Sequence, residues 1–248
     1  MTAPHQWKPT AVDAHLSNYG GIAQDFLALV VFPSLDALEQ RLHSRPSTGD
    51  RMSAAFECLA HFELVSKTNR AFCLSIQALW ETYLRNYLAS CPNAPALKPT
   101  LSPAIESAKW GEQLNSVFLA VRGLQLDSFD SYPTLNKLQL LANVCRHGAG
   151  RSGDDLYKLS KELWPSWAHG SYKKTPPTDF IKISRELLTQ FVNAIDVFWM
   201  DMERHGLESF GIGDEGVERR LATLRAERLP KLLTFNPDEA KSRDVSVV

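Results

Sequence analysis

Three observations predict an all-α fold, an antiparallel helical bundle of four or five main helices with additional short ones. Apolar residues recur at three- and four-residue spacing over long stretches, as one face of an α-helix requires. No segment alternates apolar and polar residues as a half-buried strand does. Proline, glycine and small polar residues gather into a few intervals that read as connections. Amphipathic helices joined by such loops bury their apolar faces by packing on one another.

The elements follow in order. The first 18 residues are polar and proline-containing and predict a flexible lead. Residues 19–204 are expected to form the helical domain, with a polar C-terminal extension carrying a short helix over 205–248. From Tyr19 to His43, FLALVVF and LDALEQRL predict helix broken near Pro33, although that proline equally suits the first turn of a second piece. RPSTGD, Arg45 to Asp50, is a turn with Asp50 as N-cap. The longest periodic segment runs from Arg51 to Leu88, with Phe72, Ile76, Leu79, Tyr83 and Tyr87 on one wide face. The polar interval SKTNR, Ser66 to Arg70, leaves open whether this is one helix or two. ASCPNAPALKPTLSP, with four prolines, is loop. A short helix is expected from Ile105 to Val121, then a connection from Asp127 to Thr134.

Leu135, Leu138, Leu141 and Cys145 place a helix running into LQLLANVCRHGAGRSGDD. A shorter helix is expected from Asp155 to Leu163, followed by the loop SYKKTPPTD, Ser171 to Asp179. The last strong helix is expected from Phe180 to Arg204, its start marked by Asp179. Ile183, Leu187, Phe191, Ile195, Phe198 and Met202 should point inward. The tail is interrupted by GIG before a short helix from Gly216 to Arg228. Loops of about 12 residues or more are uncommon in a compact domain unless they serve a function or lack order.

Composition narrows the function classes. The chain has 248 residues, 44% of them hydrophobic, enough for a sizeable core. Its 27 basic and 28 acidic residues create no global field that would recruit nucleic acid, so a local patch would have to do so. Cys58, Cys73, Cys91 and Cys145 form no CxxC pair and read as reduced thiols in the core. MTAPHQWKPT lacks the layout of a signal peptide, and no apolar run approaches the ~20 residues that span a bilayer. A cytoplasmic protein without membrane attachment is expected. His5, His15, His43, His61, His169 and His205 show no metal-ligand spacing, so neither a metal nor a cofactor is expected.

Asn143 and His147 are four residues apart and share a helix face. Gly148 reads as the C-cap, and Arg146 suits the negative end of the helix dipole. One reading is therefore a satisfied helix end. The other is chemical, since imidazole titrates near neutrality and serves as general base or acid in phosphodiester cleavage through a ribose 2′-OH. Asn143 would hold the imidazole or a phosphate oxygen, while Arg146 and Arg151 would offset phosphate charge. GAGRSG lacks the lysine, the following Ser/Thr and the preceding strand of a phosphate-binding loop. In LWETYLRN, Glu81 and Arg85 should pair across a helix surface, with Trp80 and Tyr83 in the core. Lys173–Lys174 and ERRLATLRAERLPK read as solvated faces.

ALWETYLRNYL on one helix, followed later by a helix ending in ANVCRHG, resembles the HEPN superfamily over roughly Arg51 to Met202. The resemblance implies a small helical bundle of the kind found in prokaryotic defence and toxin–antitoxin systems and in RNA processing. Active members carry arginine, a polar residue (usually asparagine), three variable residues and histidine on one helix. Dimerisation commonly doubles this into a metal-independent RNase site. Asn143 and His147 match the asparagine and histidine, and Glu81 matches the polar residue that some members place on the neighbouring helix. The arginine position holds Ala142, so a catalytic reading must draw its cation from Arg146 or Arg151. The resemblance implies a homodimer acting on RNA or paired with a cognate protein. The alternative is a non-catalytic module that binds protein or nucleic acid with the same helix face and the Ser90–Pro103 loop.

Overall fold

A computed structural model describes residues 7, 11–13, 15–43, 51–91, 101–209 and 214–235. They form an all-α protein with no strand among the described residues. The helices are α1 (Ser17–Phe26), α2 (Phe32–His43), α3 (Arg51–Ser90), α4 (Leu101–Ser107), α5 (Glu112–Arg122), α6 (Tyr132–His147), α7 (Arg151–Leu159), α8 (Arg185–Ser209) and α9 (Glu215–Phe235). The chain divides into two compact units. The first comprises Met1–Gln24, Ala78–Asn136 and Gln190–Val248, and the second Asp25–Gln77 and Lys137–Thr189.

Several boundaries differ from the sequence expectation, each for a local reason. Pro33 lies in the first turn of α2, the second of the two expectations, and the helical run continues through it. A π turn, Leu27–Val31, precedes α2, and the Phe32 N–H reaches back five residues to the Leu27 carbonyl. This wider turn accommodates a residue that has no N–H and whose ring crowds the preceding turn. The resulting run, Ser17–Leu42, is long and apolar enough to cross a membrane by length and composition, which the reading broken at Pro33 did not anticipate. The segment Arg51–Ser90 is one helix, uninterrupted at Ser66–Arg70. The single helix expected from Ile105 to Val121 is instead α4 and α5, separated at Gly111, whose φ of +98° is a conformation that favours glycine. Pro103 belongs to the first turn of α4 rather than to a loop.

Further on, the helix expected from Asp155 to Leu163 starts at Arg151 and ends at Leu159. Asp179 lies in a 3₁₀ turn and does not start α8. That helix begins at Arg185, where the Ser184 hydroxyl accepts the Leu187 N–H at 3.2 Å. α9 reaches Phe235, beyond the expected Arg228. Asp50, residues 92–100 and GIG lie outside the described residues.

In the first unit, α8 supplies the centre. Every residue from Phe191 through Glu203 is buried, including Phe191, Ile195, Phe198 and Met202 of the positions expected to point inward; Ile183 and Leu187, in the second unit, are buried too. Trp80 of α3 stands edge-on to Phe198 at 6.0 Å and to Trp110 at 4.8 Å. Burying an aromatic or branched side chain of this size contributes about 1.5–3 kcal/mol. The buried carboxylates of α8 are matched by α9, with Arg220 on Glu203 at 2.6 Å and Arg228 on Asp201 at 2.7 Å. Burial pushes the Glu203 carboxyl up, but hydrogen bonds from Arg220 and Ser17 outweigh it and leave it below its ordinary value.

In the first unit α3 turns Trp80, Leu84, Tyr87 and Leu88 to the core, and in the second Cys73 and Ile76. Phe72, Leu79 and Tyr83, expected on the buried face, are only half-buried. The second unit also buries Leu27, Val31 and Leu35, with Leu138, Leu141, Ala142 and Val144 from α6. Phe26 meets Phe72 edge-on at 6.4 Å, and Asp36 of α2 pairs with Arg185.

Candidate functional site

The motif helix α6 ends as its residues dictate. His147 is its last residue, and Gly148 follows at φ +74° with its N–H on the Val144 carbonyl at 2.8 Å. The apolar side of α6, Leu138, Leu141, Ala142 and Val144, is buried, so positions 143, 146 and 147 are displaced toward the surface. Asn143 is half-buried, whereas Arg146 and His147 are exposed.

The polar groups here are organised around two glutamines that sequence reading did not single out. Arg146 donates to the Gln77 side-chain oxygen at 3.3 Å, and the Gln77 amide donates to Gln139 at 2.9 Å. Gln139 in turn donates to Asn143 Oδ1 at 3.4 Å. Gln77 and Gln139 are both buried, where an unpaired amide would cost about 1–3 kcal/mol. The ladder Arg146–Gln77–Gln139–Asn143 therefore holds a cation and an amide at the edge of the core. Gln139 precedes Asn143 by one helical turn, a signal legible in the sequence. Gln77, on α3, was not.

His147 makes no hydrogen bond or ion pair among the described residues, so Asn143 accepts from Gln139 and is not bonded to the imidazole. Arg151, whose side chain is 96% exposed, lies 3.7 Å from Asp155 one turn along α7. Glu81 belongs to the first unit and pairs with Arg85 at 2.6 Å, as the four-residue spacing predicts. Arg85 also donates to the carbonyls of Ile105 and Ala108, which gives the pair a role in fastening the end of α4. The described site thus joins Asn143, Arg146 and His147 on α6, with Arg151 opening the next helix.

In the second unit, Cys73 and Cys145 are hydrogen-bonded thiols on α3 and α6. The bond to Cys145, together with burial, pushes the Cys73 thiol up. The bond received from Cys73 holds the Cys145 thiol below its ordinary value against the effect of burial, and the charge of Arg70 adds to this. Both cysteines are free, as are the other two. No group of three or more metal-ligating side chains is present among the described residues.

Chemically, the arrangement offers one solvent-facing imidazole, one tethered guanidinium and one further exposed guanidinium. Its amide is committed to the ladder. No protein-family model, characterised protein or solved structure matches the chain.

Proposed function

We propose that the protein is a HEPN-like endoribonuclease of a prokaryotic defence or toxin–antitoxin type system, acting without metal at His147. The observation that carries this reading is the solvent-facing imidazole at the end of α6, one turn from Asn143, next to Arg146 in the chain and four residues before the exposed Arg151. In the proposed reaction His147 takes the proton from a ribose 2′-OH. The 2′-oxygen forms a bond to phosphorus, and the bond to the 5′-oxygen breaks as that oxygen takes a proton from solvent water, to which His147 returns the proton it accepted. The products are a 2′,3′-cyclic phosphate and a 5′-hydroxyl. Arg146, held in place by Gln77, and Arg151 stabilise the extra negative charge of the phosphorane. Asn143 positions Arg146 indirectly, through the glutamine ladder.

The test is cleavage of single-stranded RNA in a chelating buffer. Removing an acid–base group of this kind lowers the rate by ~10²–10⁴-fold. His147→Ala should therefore lose activity while keeping its helical content, and equal cleavage by both proteins rules out His147 as catalyst. Ala142 favours a second reading, a non-catalytic helical module that binds protein or nucleic acid. RNA binding by a wild-type protein that never cleaves decides for that module.

A homodimer belongs to the same proposal. Met52, Phe56, Leu59 and Phe62 form an exposed stripe along the first part of α3, an apolar row that a second copy would cover. Light scattering should give twice the chain mass for the wild type and a single-chain mass for Phe56→Asp with Leu59→Asp. An unchanged mass in that variant removes the stripe from the interface.

A further inference from the structure

The segment between α7 and α8 holds only three single-turn 3₁₀ helices, Lys161–Leu163, Ser166–Ala168 and Thr178–Phe180, yet it is fixed at many points. The Lys182 N–H bonds the Leu163 carbonyl at 2.8 Å, and the Trp164 indole donates to the Pro177 carbonyl at 3.1 Å. Arg70 donates to the Thr178 carbonyl at 2.7 Å, and the Thr175 hydroxyl bonds Asp154. What this anchored loop presents outward is aromatic. Trp167 is 59% exposed and Tyr172 is 40% exposed. Both lean on Phe180, with ring centroids 4.9 and 6.2 Å away.

Large aromatic side chains seldom stand this far into solvent on a rigid loop. The surrounding charge is basic, with Lys173, Lys174 and Lys182 exposed and His169 nearby in sequence. The neighbouring acid, Asp179, has Arg70 at 3.8 Å. From Lys137 to Thr189 nine basic residues face five acidic ones, although the whole chain carries a formal net charge of −1.

We infer that Trp167, Tyr172 and Phe180, with Lys173 and Lys174, form a docking platform for single-stranded RNA. Bases stack on the exposed rings and the lysines meet the phosphates. Three rings are too few to supply the ~800 Å² that a stable protein partner needs on each side, whereas one or two stacked bases need no more. The placement suits the chemistry proposed at His147. Thr175 fastens the loop to the first turn of α7 through Asp154, and α7 begins four residues after His147. The inference rests on RNA being the ligand in the reading above.

The experiment measures anisotropy of a fluorescein-labelled oligouridylate in the His147→Ala background, where the probe stays intact. Trp167→Ala should weaken binding ~10-fold or more, the effect of losing one stacked base at about 1–3 kcal/mol. Trp167→Phe should restore most of the affinity. Lys173→Ala with Lys174→Ala should reduce the slope of log affinity against log salt by about 1.4, as expected for two phosphate contacts to a single strand. Unchanged binding and salt slope in these variants overturn the platform while leaving RNA as the ligand. Absence of oligouridylate binding by the parent protein overturns both. If Trp167→Ala instead alters the mass of the protein in solution, the face is a self-interface and the platform falls. If the parent binds but wild type and His147→Ala cleave alike, the nuclease reading fails and the platform stands.

Discussion

Ala142→Arg, which completes the arginine–asparagine–histidine pattern, is expected to destabilise the protein by several kcal/mol and to leave RNA cleavage no higher. Ala142 is fully buried on α6, between Leu138 and Leu141 on one side and Val144 on the other. Forcing extra methylenes into such a site costs about 1–3 kcal/mol. An uncompensated guanidinium adds several more, against a total stability that for most domains is only about 5–15 kcal/mol. Urea denaturation separates the two contributions. Ala142→Met should show the packing cost alone, and Ala142→Arg the packing cost plus the charge. If Ala142→Arg kept wild-type stability and cleaved RNA faster, position 142 would open onto the site and the ladder through Gln77 would not be this chain's means of placing a cation.

The apolar row Leu187, Phe191, Ile195, Phe198 and Met202 of α8 was readable from the sequence by its three- and four-residue spacing, but the burial of Asn193, Asp196, Asp201 and Glu203 on the same helix was not, since it depends on partners elsewhere in the chain. α3 carries large apolar side chains nearly all round. A wide arc does not fix its own centre, and the buried row proved to be Cys73, Ile76, Trp80, Leu84 and Tyr87 rather than the row through Phe72, Leu79 and Tyr83. Gly111 was hidden because an isolated glycine within a helical pattern is usually tolerated. Ser184 and Asp179 are both good capping residues, and only the backbone decided between them. At the site, one-turn spacing displayed Asn143 beside His147. It could not display Gln77, which meets Gln139 from 62 positions away. Local periodicity thus reveals which residues share a helix face, while the partner that face finds depends on tertiary packing.

The longest-range example carries the second large expected effect. Arg122→Met should cost about 3–5 kcal/mol, the usual consequence of breaking a buried ion pair from one side. Arg122 and Asp13 are both buried, 2.7 Å apart and 109 positions apart in the chain. The guanidinium lies 4.0 Å from the Trp7 ring centroid, and the carboxylate also accepts from the Tyr87 hydroxyl at 2.7 Å and the Trp7 indole at 3.1 Å. Burial, foremost, pushes the Tyr87 hydroxyl up, which favours its protonated, donating form. Removing Arg122 takes the facing guanidinium away from a buried carboxylate that also accepts from Tyr87 and Trp7. Asp13→Leu combined with Arg122→Met removes both charges and should lose less than Arg122→Met alone, because neither partner is stranded. The Tyr87 and Trp7 donors, left without an acceptor, set the remaining deficit at about 1–3 kcal/mol each. Urea denaturation of the three proteins gives the coupling directly. Losses that simply add would mean that Asp13 and Arg122 act independently, and the ion pair would not be what fixes the segment holding Asp13.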